Sequence, residues 1–231
     1  MSIAEIQRAL KQAGFDPGPI DGAWGRKSIA ACKAFQAHNG LAVDGIPGPK
    51  TLAKLRFTPG GVAVIAATPI WYREAKRALG VKEAPGAANN PLILGWAKAL
   101  GGWVSSYFKA DSIPWCGLFV GHVVATTLPA EALPSNPLGA KNWASFGTRL
   151  TTPAIGAVLV FSRSGGGHVG FYAGEDAEAF HVLGGNQSDA VTIARVAKSR
   201  CIAIRWPSTA SPPIGGRVIR ALSSTLSVNE A

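Results

Sequence analysis

The stretch Asp111-Ser112-Ile113-Pro114-Trp115-Cys116-Gly117-Leu118-Phe119-Val120 decides how the larger part of this chain is read. Asp111 or Ser112 can cap a helix with its side chain, and Pro114 is tolerated in a first turn. Apolar residues continue to about Ala125, which predicts a buried helix with Cys116 in its opening turn. Unpaired N–H groups and the helix dipole at that end favour a thiolate, the nucleophilic form of cysteine. Working outward, the segments before it read as helices, Trp71 to Leu79 and Leu92 to Leu100. Those after it read as strands: Ala157 to Ser162, His168 to Ala173, Ala179 to Leu183, Val191 to Val196 and Ile202 to Trp206. Helices followed by strands predict an α+β domain over residues 70–207.

A cysteine nucleophile needs a base, and the base needs a group to orient it. His38 lies in a separate N-terminal segment. His122 is six residues past Cys116 on the same helix. At about 100° per residue it lies some 240° round and faces away. His168 follows Gly165-Gly166-Gly167 and opens an alternating strand, a rigid position that suits a general base. His181, on the next strand, is a weaker candidate. Gly184-Gly185-Asn186-Gln187 comes next, and Asn186 can offer its side-chain oxygen to His168 in the Cys-His-Asn arrangement of papain-like hydrolases. His181 and Asp189 are rival third members. Trp115 is a candidate wall of the cleft, with core packing as its other reading. Cys32, on an apolar helix face, and Cys201, at a strand start, read as packing.

The N-terminal segment is different in kind. Ile3, Ile6, Ala9, Leu10 and Ala13 recur at helical spacing and stop at Gly14. Further helices are expected from about Lys27 to His38 and from Gly48 to Leu55. Between them the pattern D-G-x-x-G-x-K-[ST] occurs twice, as Asp21 to Ser28 and as Asp44 to Thr51. Each copy reads as a turn tied by its Asp, with glycine at positive φ, leading into a helix. Residues 58–69 read as a linker, and residues 208–231 as a weakly ordered tail with room for one helical turn or more.

Composition narrows the class. The 231 residues are 47% hydrophobic and 16% charged, enough apolar material for real cores. Twenty-three basic residues face thirteen acidic ones, a net charge of +10, so an anionic partner is expected. The excess is dispersed, +4 over residues 1–57 and +6 over the rest. With no basic run and no nucleic-acid motif, nucleic-acid binding is not expected. No apolar run approaches the length of a membrane span, and Met1 to Gln7 does not read as a secretory signal. Three scattered cysteines make no disulfide framework. No zinc-ligand spacing appears. Gly165-Gly166-Gly167 lacks the features of a phosphate loop. No metal and no other cofactor is expected.

Two resemblances rest on these residues. Ile6-Gln7-x-x-Leu10, Gly14-Phe15, Asp21-Gly22-x-x-Gly25, Ala34-Phe35-Gln36 and Gly40-Leu41-x-x-Asp44-Gly45-x-x-Gly48 resemble the three-helix peptidoglycan-binding domain of cell-wall hydrolases. That resemblance implies substrate contacts at Asp21, Gly22, Trp24, Asp44 and Gly45. Leu79-Gly80-Val81-Lys82-Glu83-x-Pro85-Gly86, Asn89-Asn90-Pro91, Pro114-Trp115-Cys116, Gly167-His168-Val169-Gly170-Phe171 and Gly184-Gly185-Asn186-Gln187-Ser188 resemble the NlpC/P60 and CHAP cysteine peptidases and amidases, in particular a phage-associated branch. The implied roles are Cys116 as nucleophile, His168 as base and Asn186 as orienting residue, with Trp115 at the cleft. Together they imply a modular phage endolysin that cuts an amide bond of the peptidoglycan stem peptide. It would be a monomer, made in the host cytoplasm and released to the wall with the help of a holin. A virion-associated lysin, a secreted toxin amidase and a non-catalytic wall-binding protein are the alternatives.

Overall fold

The computed structural model describes residues 2–57, 68–213, 216–220 and 226–227, and the chain divides into two compact units near residue 67. Most of the linker expected over 58–69 lies outside the described residues.

The first unit holds α1 (Ile3–Gln12), α2 (Arg26–His38) and α3 (Pro49–Phe57). Ser2 and Glu5 start α1 with reciprocal bonds: the Ser2 hydroxyl accepts from the Glu5 amide at 3.3 Å and the Glu5 carboxylate from the Ser2 amide at 2.6 Å. Two orphan N–H groups are thereby satisfied. The apolar faces then meet, with Ile6, Ala9, Leu10, Ala31, Cys32, Phe35 and Leu55 forming one core. Cys32 is packing, as its position on α2 predicts, and burial lifts its thiol to about 11.

The second unit is mixed helix and sheet. Its helices are α4 (Ile70–Arg77), α5 (Pro91–Leu100), α6 (Gly102–Tyr107) and α7 (Cys116–Thr127). They precede β1 (Thr148–Arg149), β2 (Val158–Arg163), β3 (Gly166–Glu175), β4 (Ala179–Gly184), β5 (Thr192–Ala197) and β6 (Cys201–Trp206). The strands form one antiparallel sheet in the order β1-β6-β2-β3-β4-β5. α7 is buried along most of its length, and Phe119 meets Phe171 of β3 edge-on with ring centroids 6.2 Å apart. That packing fixes the start of α7 against the sheet. The short elements β1, α6 and the 3-10 turn Ala140–Ser145 were not expected, since stretches so short carry no usable periodicity.

Two expectations need correction. α7 begins at Cys116 with Trp115 as its N-cap and no side-chain cap bond. Asp111 is drawn elsewhere: its carboxylate accepts the amides of Ala84 and Asn90 at 2.8 Å each, bracing the 84–90 segment. The tail is also better held than expected where it is described. Glu131 accepts the amides and hydroxyls of Ser208 and Thr209. Farther on, Ile219 bridges Glu175 in parallel and the Val218 amide donates to the Tyr172 hydroxyl at 2.8 Å. Backbone pairing with β3 and the Arg217–Glu175 ion pair supply the order that tail composition concealed.

Candidate functional site

Cys116 is the first residue of α7. Its sulfur accepts backbone N–H contacts from Gly117 and from Val169 of β3, the residue directly after His168. The helix start and the strand carrying His168 therefore meet at the thiol. Burial pushes the thiol pKa up; the Val169 and Gly117 amides and the positive charge of Arg163 oppose that rise without cancelling it. That rise favours the protonated thiol, and a group in this state acts as a nucleophile only where a base takes its proton. Cys116 is 2% exposed and His168 0%, so a ligand reaches the sulfur only when neighbouring residues give way.

His168 Nε2 lies 3.0 Å from Gln187 Oε1. The other end of this amide is committed: Gln187 Nε2 donates to the Thr192 carbonyl at 2.7 Å, the Thr192 hydroxyl at 3.1 Å and the Val182 carbonyl at 3.3 Å. Its oxygen must then face the imidazole and accept from Nε2–H, which leaves Nδ1 as the basic atom of the ring. Gly184 makes room for the pair, since a Cβ there would lie 2.8 Å from Gln187 Oε1 and 3.0 Å from His168 Nε2. On the β2 side, the Phe161 ring lies 6.3 Å from that of His168, nearly parallel.

The turn that carries Gln187 is strained. Asn186, Ser188 and Asp189 have φ of 57°, 53° and 59°, a region costly to residues with a Cβ and concentrated at functional sites. Bracing comes from both sides. Gln187 donates its amide to Ala190 at 2.9 Å, and the Glu83 amide donates to the Asp189 carbonyl at 2.9 Å. Glu83 also accepts the Trp115 indole N–H at 2.8 Å. Burial raises the Glu83 pKa, and the Trp115 bond partly offsets that. One segment thus ties the residue before Cys116 to the turn that holds the His168 partner.

The expected site residues separate on this geometry. Cys116 and the start of β3 come together. Asn186 does not reach His168: its buried side-chain oxygen has no hydrogen-bond partner among the described residues, while Gln187, one methylene longer, makes the bond. Trp115 is fully buried against Trp96 instead of walling an open cleft, with ring centroids 5.9 Å apart. The rival third members are placed otherwise. His181 Nε2 pairs with Asp176 at 2.8 Å, Arg195 binds the same carboxylate, and Asp189 is exposed. His122 stacks on Trp96, away from the thiol as its helical phase predicts. Gln187 and Glu83 are the residues that sequence reasoning missed as site members, although both stood inside quoted motifs.

In the first unit, the repeated motif proves to be a repeated hydrogen-bond device. Gln7 Nε2 donates to Asp21 Oδ1 at 3.0 Å, the Ala23 carbonyl at 2.8 Å and the Ser28 hydroxyl at 3.1 Å, and its Oε1 accepts the Gly22 amide at 2.9 Å. Gln36 repeats the set with Asp44 at 2.7 Å, Ile46 at 3.0 Å, Thr51 at 3.1 Å and the Gly45 amide at 2.8 Å. Gly22 and Gly45 take φ of 77° and 76°, as the turn demands. The Gln7 amide and the Ala23 N–H hold Asp21 below the usual carboxylate range; the Ile46 N–H and the Gln36 amide do the same for Asp44. These groups are spent on the turns, and the Trp24 indole N–H is spent on the Gly45 carbonyl at 3.3 Å. The five residues expected to contact substrate thus also build the turns of the domain, while Asp21 and Asp44 stay exposed.

Among the described residues, no cluster of three His, Cys, Asp or Glu is placed to hold a metal ion. No described helix is long and apolar enough to cross a membrane.

Residues 2–55 match the family model of the putative peptidoglycan binding domain. The chain is 36% identical over 80 residues to the N-acetylmuramoyl-L-alanine amidase CwlM of Mycobacterium tuberculosis, covering 35% of this chain and 20% of that protein. It is 42% identical over 60 residues to a probable N-acetylmuramoyl-L-alanine amidase of Bacillus licheniformis, covering 23% of this chain and 17% of that one. A spore cortex-lytic enzyme of Bacillus cereus is 43% identical over 49 residues, covering 21% and 19%. The matched stretch thus spans about a fifth of each of these relatives. No solved structure matches the chain.

Proposed function

We propose that this protein is a peptidoglycan hydrolase that cuts an amide bond of the stem peptide with Cys116 as nucleophile and His168 as base. The observation that carries the reading is the thiol at the start of α7, contacted by the amide after His168, with that imidazole held by Gln187. The match of residues 2–55 and the names of the relatives support peptidoglycan as the polymer bound.

The chemistry runs as acyl transfer. His168 Nδ1 takes the thiol proton as Cys116 Sγ attacks the amide carbon, and the carbonyl π electrons move to oxygen. Backbone N–H groups at the start of α7 stabilise that oxyanion. The C–N bond breaks as His168 gives its proton to the leaving amine. Water, deprotonated by the same imidazole, then attacks the thioester and releases the acid and the thiol. Gln187 holds the ring in the tautomer that frees Nδ1. Service as an endolysin, made in a host cytoplasm and released to the wall, belongs to the same proposal.

The test is digestion of purified sacculi by wild type and Cys116→Ala, with released fragments read by mass spectrometry. Loss of all new termini in the variant, with sacculus pull-down unchanged, is the expected result. Continued cleavage by Cys116→Ala sinks the mechanism. The new termini also distinguish muramoyl-alanine from peptide cross-link cleavage. Burial of both Cys116 and His168 favours one second reading, a wall-binding protein whose enzyme unit is silent. Wild type that binds sacculi and releases no fragment would establish it.

A further inference from the structure

Arg149 of β1 and Arg205 of β6 stand directly opposite one another in the antiparallel register. Like charges in that relation repel and weaken a strand pair. The usual remedy is a carboxylate between them, and none of the described residues supplies one. Neither guanidinium has a hydrogen-bond or ion-pair partner among the described residues, and Arg205 Nε is buried without one. A buried unsatisfied guanidinium nitrogen is costly, more so than a neutral donor.

The pair opens onto a groove of about 560 Å³. Its walls include Arg149, Arg205, Lys198 and the Thr151 side chain, with Ile202 and Phe180 supplying apolar surface, and none of its lining residues is acidic. Lys198 is partly neutralised from behind, by Glu175 at 3.3 Å and the Asp176 carbonyl at 2.6 Å. The two arginines are not. A groove of this size, with polar and apolar surface side by side and basic groups converging on it, offers room for an anionic ligand.

We infer that the β1–β6 groove is a binding site for a phosphoryl group, with Arg149 and Arg205 as its clamp. Adjacent planar guanidinium forks match the several oxygens of one phosphoryl group, giving parallel charge-assisted bonds that a point charge cannot. The bound anion removes the cross-strand repulsion. The ligand class is a phosphodiester-bearing polymer, whose backbone supplies apolar surface for Ile202 and repeated charge for a protein of net charge +10. This site uses neither Cys116 nor His168, so it stands or falls independently of the hydrolase reading.

The experiment is calorimetric titration of the full chain with a glycerol phosphate oligomer, and with a glutamate-containing peptide of equal charge as the carboxylate control. Wild type is expected to bind the phosphate oligomer and to prefer it to the peptide. Arg149→Gln with Arg205→Gln should weaken that binding at least tenfold and flatten its salt dependence. The single variant Arg149→Gln, on an exposed side chain, guards against misfolding of the double variant and should itself lose several-fold. Arg205→Lys keeps the charge but not the fork and should bind less tightly than wild type. Binding that is absent in wild type, unchanged in Arg149→Gln, or stronger for the carboxylate peptide overturns the assignment.

Discussion

Two buried glutamines, Gln36 in the first unit and Gln187 in the second, solve the same problem to different ends. Each is about 1% exposed. Each commits its amide nitrogen to three acceptors, and each offers its oxygen to a single donor. At Gln36 that donor is the Gly45 amide, which is turn backbone. At Gln187 it is an imidazole ring beside a thiol-bearing helix start. A fully satisfied buried amide is rigid wherever it occurs. What it rigidifies decides whether the result is a fold or a reaction.

The largest effect is expected from Gln187→Leu. The side chain is close in volume, but His168 loses the acceptor that fixes its tautomer. Loss of an orienting group has cost about 10⁴-fold in the best-studied triad, and a drop of about 10²–10⁴ in kcat on sacculi is expected. Gln187→Glu, which keeps an acceptor, should recover part of it and shift the acidic limb of the pH–rate profile upward, because a carboxylate favours the protonated ring. A merely structural role would change the thermal midpoint and leave that limb in place.

Gln36→Leu probes the other half. It strips acceptor or donor partners from Gly45, Asp44 and Thr51 and is expected to cost about 2–4 kcal/mol, from the penalty of buried unsatisfied groups. Hydrogen exchange should show the Gly45 amide losing protection, while cleavage of a small soluble peptide substrate stays at the wild-type rate. Gln7→Leu should do the same at Gly22. If either change halts cleavage of the small substrate, the division between a fold-building glutamine and a site-building one fails.

The thiol gives a smaller, pH-dependent effect. Burial raises the Cys116 pKa above the ordinary thiol value. Alkylation by iodoacetamide should therefore lag behind a free cysteine at each pH below that value and climb as pH rises past it. The same sign applies to stability. The folded form holds its proton longer than the unfolded chain, so this contribution is complete at neutral pH and declines as alkali exceeds the unfolded thiol pKa. Faster labelling than free cysteine at pH 7 would show a thiolate at rest and replace proton transfer by a preformed ion pair.

Legibility in the sequence followed the length and regularity of the elements. α1, α2, α5, α7 and the strands β2 to β6 announce themselves by period, and the structure places them within a few residues of the expected bounds. The place of Cys116 at a helix start was legible from the capping pattern around it, and that of His168 on a strand from the glycine run before a clean alternation. The residue that bonds His168 was not. Phe171 pairs with Leu183, and an unbroken ladder from that pair would put Asn186 opposite His168. β4 ends at Gly184 instead, and the left-handed residues that follow break the count. Asp111 misled for a related reason: a side chain that can cap its own helix can also bind a loop remote in sequence, and local pattern does not rank the two. The repeated motif was legible as a pair of turns, but its buried glutamines lie 14 and 8 residues upstream, at different spacings. Only the fold shows them doing one job.

Asn186 supplies the smallest test. It pays for a left-handed backbone and holds a buried oxygen with no partner among the described residues, yet the hydrogen bond to His168 comes from its neighbour. If Gln187 is the orienting residue, Asn186 contributes conformation alone, and glycine satisfies that conformation without a Cβ. Asn186→Gly should leave kcat within about twofold. The relieved strain and the deleted unsatisfied oxygen favour the variant, while the greater freedom of its unfolded chain opposes it, for a net gain of about 0.5 kcal/mol. Chemical denaturation and steady-state rates on the same preparation measure both. A fall in kcat comparable to that of Gln187→Leu, with stability intact, would return the third role to Asn186. It would mean that the turn rearranges once substrate opens the site.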